Sequence, residues 1–496
     1  MCPLGVEKKH TQQTQLQKQI HVHINEDGTV NKEVTAPKIN TLVYEGGGVR
    51  GLAYVGGTQA LYEAGVMQTV KRVAGSSAGA LTAVVVALGY SQEKIDQIIS
   101  GIDMGALEDS KYLSKKEKVI KLKNKGYLNE GNKLLDLVRS VIRDRVIELT
   151  NQFMATNPDK IDELVKLKID FDHITFKNLS DLASLMPEAN IKDIFITGTR
   201  LGKDKSESPE LVIFNAKDTP DMEIALAARI SASIPIYFQP IIIDGHKHVD
   251  GGCLSNFPVH YFEKKEFEPD DAYKFKGASG QNLSTFGLKI DTQQEMNDLL
   301  FSPDRSKSIK ERLLGLVEQK LTDTITQVDT TAANKRMEEE VYWLYSQRTC
   351  QVFDRDIGMV NFNMTEDEKS ALKYEGYKNV SSWTNQYLDG VMEAKKYPSF
   401  SDMCEAMDTT ELQKFCDALR DNHKEILILH NPKERYGSPT DVAQLQMTAS
   451  KILERKLGKQ KQPGELTAEG EAYKRIKLAL EVEINKLRKK KSVKSK

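Results

Sequence analysis

The sequence predicts an α/β fold, a three-layer domain around a mainly parallel sheet, followed by an all-helical C-terminal domain. Three observations carry this expectation. Short apolar runs of strand length alternate with helical stretches between residues 40 and 291, the pattern of a sheet covered on both faces. Two glycine-rich turns, residues 45–51 (EGGGVRG) and 75–79 (GSSAG), each follow such a run and open an apolar helical stretch. Beyond Asp291 the apolar residues step by three and four, as Leu314, Val317, Leu321, Ile325 and Val328 do, which marks one face of a long helix.

The elements follow in order. Residues 1–37 are polar and read as a leader, in which 20–24 alternates as a short edge strand would. His21 and His23 would share one face of it, as a metal pair or, in better accord with base rates, on a solvated strand. Residues 41–44 read as a buried strand, and 49–64 as a helix with Leu52, Val55, Ala60 and Leu61 apolar, ended by Gly65. A second strand (70–74) and helix (78–88) come next, then a charged, mostly helical stretch over 91–190. Strand signals return at 194–198 and 211–214, a helix at 224–231, extended chain at 241–244 and a last strand at 285–290.

This gives a polar leader (1–37), an α/β domain (38–291) and a helical domain (292–457). Residues 458–496 supply a linker, an amphipathic helix with Tyr473, Ile476, Leu480, Ile484 and Leu487 on one face, and a basic tail. Trp343 and Trp383 both fall in the helical domain, where they read as core.

Composition narrows the function. A chain of 496 residues exceeds one ordinary core. Its 70 Lys+Arg against 71 Asp+Glu give no global pull toward nucleic acid. Cys2, Cys253, Cys350, Cys404 and Cys416 lie far apart without a CxxC pair, which fits a reduced, intracellular protein. No signal-length apolar core occupies residues 1–40 and no apolar run reaches membrane-spanning length. The expectation is a cytoplasmic protein, or one exported by a route without a signal peptide, that meets membranes peripherally.

The two turns carry the chemistry. At Gly46, Gly47 and Gly48, backbone N–H groups stack at a helix N-terminus, where a negative oxygen is stabilised. The same residues fit the G-x-G-x-x-G dinucleotide fingerprint, but that needs an acid about 20 positions on, and the second strand has none. It ends instead in a G-x-S-x-G, which holds Ser77 on a sharp strand-to-helix turn. An anion site plus an exposed nucleophile describes acyl transfer. The serine needs a base. Residues 246–252 (HKHVDGG) form the one polar turn with both candidates: His248 or His246 would make a Ser-His-Asp triad, and Asp250 alone a dyad. Spacing permits either.

These residues resemble the patatin-like phospholipase family. EGGGVRG is similar to its oxyanion-hole motif, GSSAG to its nucleophile elbow, and Asp250-Gly251-Gly252 to its catalytic aspartate motif, with Asn256 and Pro258 behind it. Residues 227–235 (AARISASIP) resemble the block before that aspartate. The resemblance covers residues 40–291 and implies a three-layer patatin-like domain. It implies Ser77 as nucleophile, Asp250 as base, and Gly46, Gly47 and Gly48 with Arg50 as oxyanion hole. It implies phospholipase A type cleavage of glycerophospholipids by a Ser-Asp dyad, with no metal or other cofactor. Some family members with added helical domains are effectors switched on by a protein of the host or target cell, and this layout is compatible with such an activator. The competing expectations are a Ser-His-Asp esterase on soluble esters and a silent scaffold that binds a protein partner.

Two basic stretches remain. Residues 115–125 hold six lysines against one glutamate, and the tail carries Lys486, Arg488, Lys489, Lys490, Lys491, Lys494 and Lys496. Each reads either as solvated chain or as a contact for an anionic membrane.

Overall fold

The computed structural model describes residues 19–25, 27–203, 207–267, 282–291, 348–359, 361–388, 391–420, 426–429 and 439–460. The stripe from Leu314 to Val328, Trp343 and the terminal helix with its basic tail lie outside them. The chain divides into two compact units, residues 36–390 and residues 18–35 with 391–496. It opens with a hairpin, β1 (Gln19–Ile24) and β2 (Val30–Thr35), that belongs to the second unit.

The first unit follows the α/β expectation closely. β3 (Thr41–Tyr44) is buried at every residue. After a 3₁₀ turn over Gly48–Leu52 come α1 (Ala53–Glu63), β4 (Arg72–Gly75) and α2 (Ala78–Ala87). The helix α2 is apolar on nearly every side because eight of its ten residues are buried. A charged helical layer follows: α3 (Gln92–Ser100), α4 (Lys115–Lys125), α5 (Asn132–Thr156), α6 (Ile161–Lys166) and α7 (Phe176–Leu185). Then come β5 (Asp193–Arg200), β6 (Glu210–Phe214), α8 (Ile224–Ser231), β7 (Ile241–Ile243), β8 (His246–Asp250) and β9 (Thr285–Asp291).

One region differs from expectation. The stretch around His246 is a strand, β8, hairpinned to β7 through Asp244 and Gly245, both at positive φ. That Asp-Gly pair is the signal for a two-residue hairpin turn.

Strands β10 (Thr349–Phe353), β9, β3, β4 and β5 pair in that order, all parallel. On β5, Ile196 pairs with Gly75 of β4 along one edge and with Phe214 of β6 along the other. Two residues on, Gly198 pairs with Asp250 and again with β6 at Val212. Strand β8 therefore takes the edge that β4 vacates where it turns at Gly75. This brings Asp250 to the end of β4.

The C-terminal region is mostly helical, but not wholly, and it does not form one domain. Strand β10 extends the main sheet, and α9 (Glu366–Leu388) packs along α1. Their backbones touch: a Cβ on Gly376 would lie 1.9 Å from the Ala53 carbonyl oxygen, and one on Gly56 1.9 Å from that of Lys373. Trp383, on α9, stacks with Tyr387 and lies 3.9 Å from Phe286 in the core of this first unit. It does not report on a separate helical domain.

The second unit has β11 (Met392–Tyr397), α10 (Phe400–Ala406), α11 (Thr409–Arg420), β12 (Ile426–Leu429) and α12 (Pro439–Gln460). Its sheet runs β11-β2-β1-β12. Hence residues 19–35 are not a leader, and β1 is an inner strand. Val22 and Val30 pack with Phe400, Met403, Phe415 and Leu453. His21 is buried against Thr35 (Nε2 to Oγ1 2.7 Å), and burial lowers its pKa to about 4. It is buried, not solvated, and among the described residues no group of three or more side chains that could hold a metal forms.

Candidate active site

After Gly75 the chain reverses through Ser76 and Ser77 into α2. Ser77 sits at φ +50, ψ −123, a conformation that side chains avoid unless the surroundings enforce it. The enforcement is visible. The Ser77 N–H donates to Ser231 Oγ at 2.9 Å. The Gly79 and Ala80 amides donate to the Ser76 carbonyl at 2.8 and 3.2 Å. A Cβ on Gly75 would meet the Gly79 carbonyl at 2.2 Å, and one on Gly79 the Tyr44 carbonyl at 2.2 Å. Both glycines of the G-x-S-x-G are therefore packing requirements.

Asp250 ends β8. Its N–H donates to the Ser233 carbonyl (3.0 Å), and its carbonyl accepts from Thr199 Oγ1 (2.9 Å). Oδ1 accepts from the Gly252 N–H at 2.7 Å. Oδ2 is buried without a hydrogen bond of ordinary length. Burial pushes the carboxyl up to about 7; the Ser77 hydroxyl beside it and the Gly252 amide pull it part of the way back. A weakly solvated carboxylate next to a strained serine is a competent proton acceptor near neutral pH.

One short segment holds both residues. Ser231 bonds the Ser77 amide and Ser233 bonds that of Asp250. The segment is anchored by Arg229, which is buried and donates to the carbonyls of Gly131 (2.9 Å), Glu130 (2.7 Å) and Gln239 (3.1 Å) and to Ser233 Oγ. Sequence reading placed AARISASIP in the domain but did not see these roles. The spacing of Ser231 and Ser233, two apart at a helix end, was the available signal.

The histidines sit elsewhere. His248 Nδ1 meets the His246 carbonyl at 3.2 Å. Burial, the larger effect, lowers its pKa, against hydrogen bonds to the His246 and Ile241 backbones. His246 Nε2 lies 3.2 Å from Arg200 and 3.6 Å from Glu207. Among the described residues neither histidine bonds Ser77 or Asp250. The surface clefts lined by Lys168, His173 and Asp221 and by Asp136, Arg139 and Arg143 contain neither Ser77 nor Asp250.

The glycine loop corrects two assignments. A Cβ on Gly46 would sit 3.1 Å from Ser77 Cβ, so the loop does face the serine. But the Gly46 N–H already donates to the Asn256 carbonyl (3.0 Å), and Asn256 Nδ2 donates to the Gly46 carbonyl (3.0 Å). Its amide is not available to an oxyanion. Arg50 is likewise engaged. It is buried, donates from Nε to the Gly47 carbonyl at 3.2 Å and forms an ion pair with Asp354. Its guanidinium is committed to the loop and to Asp354. The amides of Gly47 and Gly48 donate to no other described residue, and Gly48 takes the left-handed φ of +58.

The mainly parallel sheet thus carries Ser77 on a sharp strand-to-helix turn with the Asp250 carboxyl brought to the end of the same strand. Residues 42–263 match the family model "Patatin-like phospholipase". Those residues therefore form a patatin-like phospholipase domain, and the chain is a hydrolase. It is 24% identical over 357 residues to the uncharacterised protein R571 of Acanthamoeba polyphaga mimivirus, covering 71% of this chain and 96% of R571. A 63-residue stretch, 12% of this chain, is 41% identical to the probable lipid hydrolase 463L of Invertebrate iridescent virus 6, covering 22% of that protein. Among solved structures, VipD from Legionella pneumophila shares the fold, with a TM-score of 0.51 at 17% identity over 88% of this chain and 78% of that one.

Proposed function

We propose that this chain is a phospholipase A type lipid acyl hydrolase working through a Ser77–Asp250 dyad at a membrane surface. One observation carries the reading: a strained serine and a buried carboxyl of raised pKa lie side by side, with no histidine bonded to either among the described residues.

Asp250 accepts the Ser77 proton as Oγ attacks the ester carbonyl carbon. The Gly47 and Gly48 amides stabilise the oxyanion. Collapse of the tetrahedral species breaks the ester C–O bond, and Asp250 returns the proton to the leaving lysophospholipid alcohol. Water, deprotonated by Asp250, then attacks the acyl-enzyme carbonyl carbon; the bond from that carbon to Ser77 Oγ breaks, Asp250 returns the proton to Oγ, and a fatty acid leaves. Every proton and electron pair is handled by protein groups, so the scheme uses no cofactor.

The test is direct. A fluorophosphonate should label wild type at Ser77 and leave Ser77→Ala unlabelled but folded. Mass spectrometry of mixed phospholipid vesicles should show fatty acid and lysophospholipid with wild type only. Labelling at Ser76, or full activity in Ser77→Ala, overturns the assignment.

A further inference from the structure

The helix α4 is built unlike its neighbours. It is a well-formed element: Ser114 and Glu117 close a capping box at its start, and Gly126 at φ +80 ends it. Yet it buries one residue, Leu122. Ile120, on the face opposite Leu122, is 47% exposed, and Val119, about a sixth of a turn from Leu122, is 60% exposed; Tyr112, in the turn just before, is 90% exposed. Single exposed apolar residues are ordinary; here three fall close together in the chain, on the helix and the turn that leads into it.

Lysines surround them. Lys115, Lys116, Lys118, Lys121, Lys123 and Lys125 share the helix with a single acid, Glu117, whose carboxylate is held by Ser114. Lys121 pairs with Glu130 at 3.0 Å. Among the described residues Lys115, Lys116, Lys123 and Lys125 have no ion-pair partner. Exposed apolar side chains in a collar of unpaired lysines match a surface that is anionic outside and hydrocarbon just beneath. A soluble acidic protein would satisfy the lysines but not the isolated apolar tips.

The helix is also tied to the candidate active site. Just past Gly126, the Leu128 and Asn129 amides donate to the carbonyls of Ile236 and Tyr237, each at 2.9 Å. Those residues directly follow the segment whose Ser233 carbonyl holds Asp250. Ile236 takes a φ of +73 there, a strained state for a β-branched residue. The intervening Ile234, Pro235 and Ile236 are only half-buried.

We propose that α4 and the turn before it form the docking surface that seats this domain on an anionic bilayer. Val119, Ile120 and Tyr112 enter the interface, and the lysines contact lipid headgroups. The proposal rests on the lipid-ester reading above and names the surface that delivers its substrate.

Two full-length variants test it in the Ser77→Ala background, so that the vesicles stay intact: Val119→Ser with Ile120→Ser, and Lys116→Glu with Lys123→Glu. Binding to vesicles of phosphatidylcholine with phosphatidylserine should fall about tenfold or more in each. The lysine variant's deficit should shrink in high salt, where the screening length drops to about 3 Å; the apolar variant's should persist. Made in the active enzyme, both should hydrolyse p-nitrophenyl butyrate at the wild-type rate, which also shows that they fold. Vesicle binding within twofold of the parent for both variants overturns the proposal. So does unchanged vesicle binding with loss of a protein captured by the lysine face, which would make that protein the partner. Failure of the hydrolase reading looks different: wild type would cleave neither ester nor lipid, while vesicle binding would still depend on α4.

Discussion

Arg50 and Asp354, 304 residues apart in the sequence, form a buried ion pair that fastens the glycine loop to the end of β10. Asp354 is fully buried; burial raises its pKa and Arg50 pulls it part of the way back. Removing one partner leaves a charge unpaired in the interior, which costs about 3–5 kcal/mol. Asp354→Ala should therefore lower the denaturation midpoint and the turnover together. Arg50→Met with Asp354→Leu should recover much of the stability, because a buried pair is replaceable by apolar groups. It should not recover turnover, because the Gly47 carbonyl has lost its tether. Full activity in the double variant would show that the pair is structural only.

Asp250 sets a pH dependence. In the proposed dyad its ionised form is the base, and burial raises its carboxyl to about 7 from near 4. Turnover over KM should fall below neutrality, with an acid limb near pH 7. Stability runs the other way. A carboxyl whose folded pKa exceeds its unfolded value binds the proton more tightly when folded, so its contribution is fully present below about pH 4. It is lost as pH rises to about 7. Asp250→Asn should abolish activity yet raise stability at pH 8, by roughly 4 kcal/mol at most. Equal melting curves for the two proteins at pH 8 would contradict a buried, ionised Asp250.

Dyad and triad separate by histidine removal. His246→Ala and His248→Ala should keep kcat within about tenfold of wild type, since neither ring bonds Ser77 or Asp250. A triad histidine costs several powers of ten. A loss of that size in a folded variant would restore the triad.

The loop glycines should differ from one another. A Cβ on Gly48 would lie 2.1 Å from the Met359 carbonyl oxygen, at φ +58, so Gly48→Ala must displace the loop. Turnover should drop about 100-fold or more, the scale of a lost oxyanion donor. At Gly47 the one tight contact of a Cβ is Ile290 Cδ1 at 3.2 Å, the end of a side chain that can turn aside. Gly47→Ala should stay within about tenfold. Equal losses at both positions would mean that the amides are not held by this packing.

What was legible in the sequence was local. The strand at Thr41–Tyr44, the helix at Ile224–Ser231 and the elbow at Ser77 each announce themselves within a few residues, because backbone preference and burial act at that range. The pairing of Ser77 with Asp250 is implied by family resemblance, not by spacing, which leaves His248 open. Long-range partners were hidden. Nothing near Arg50 signals Asp354, nothing near Gly46 signals that Asn256 takes its amide, and β1 reads as an edge strand until β12 pairs with it some four hundred positions later. Polar composition made residues 19–35 resemble a leader, although alternate positions of β2 face a core.

The contact of α9 on α1 bears on how this protein can be cut. The region recognisable as patatin-like stops at residue 263. A fragment ending there would lack β9 and β10, leaving β3 with a bare parallel edge, Arg50 with no counter-charge, and the glycine face of α1 open to water where Gly376 and Trp383 now press against the unit. Such a fragment would expose an unpaired strand edge, a template for aggregation. The hydrolase cannot be lifted out as a cassette, and a swap of C-terminal regions between relatives would have to leave everything through Leu388 in place.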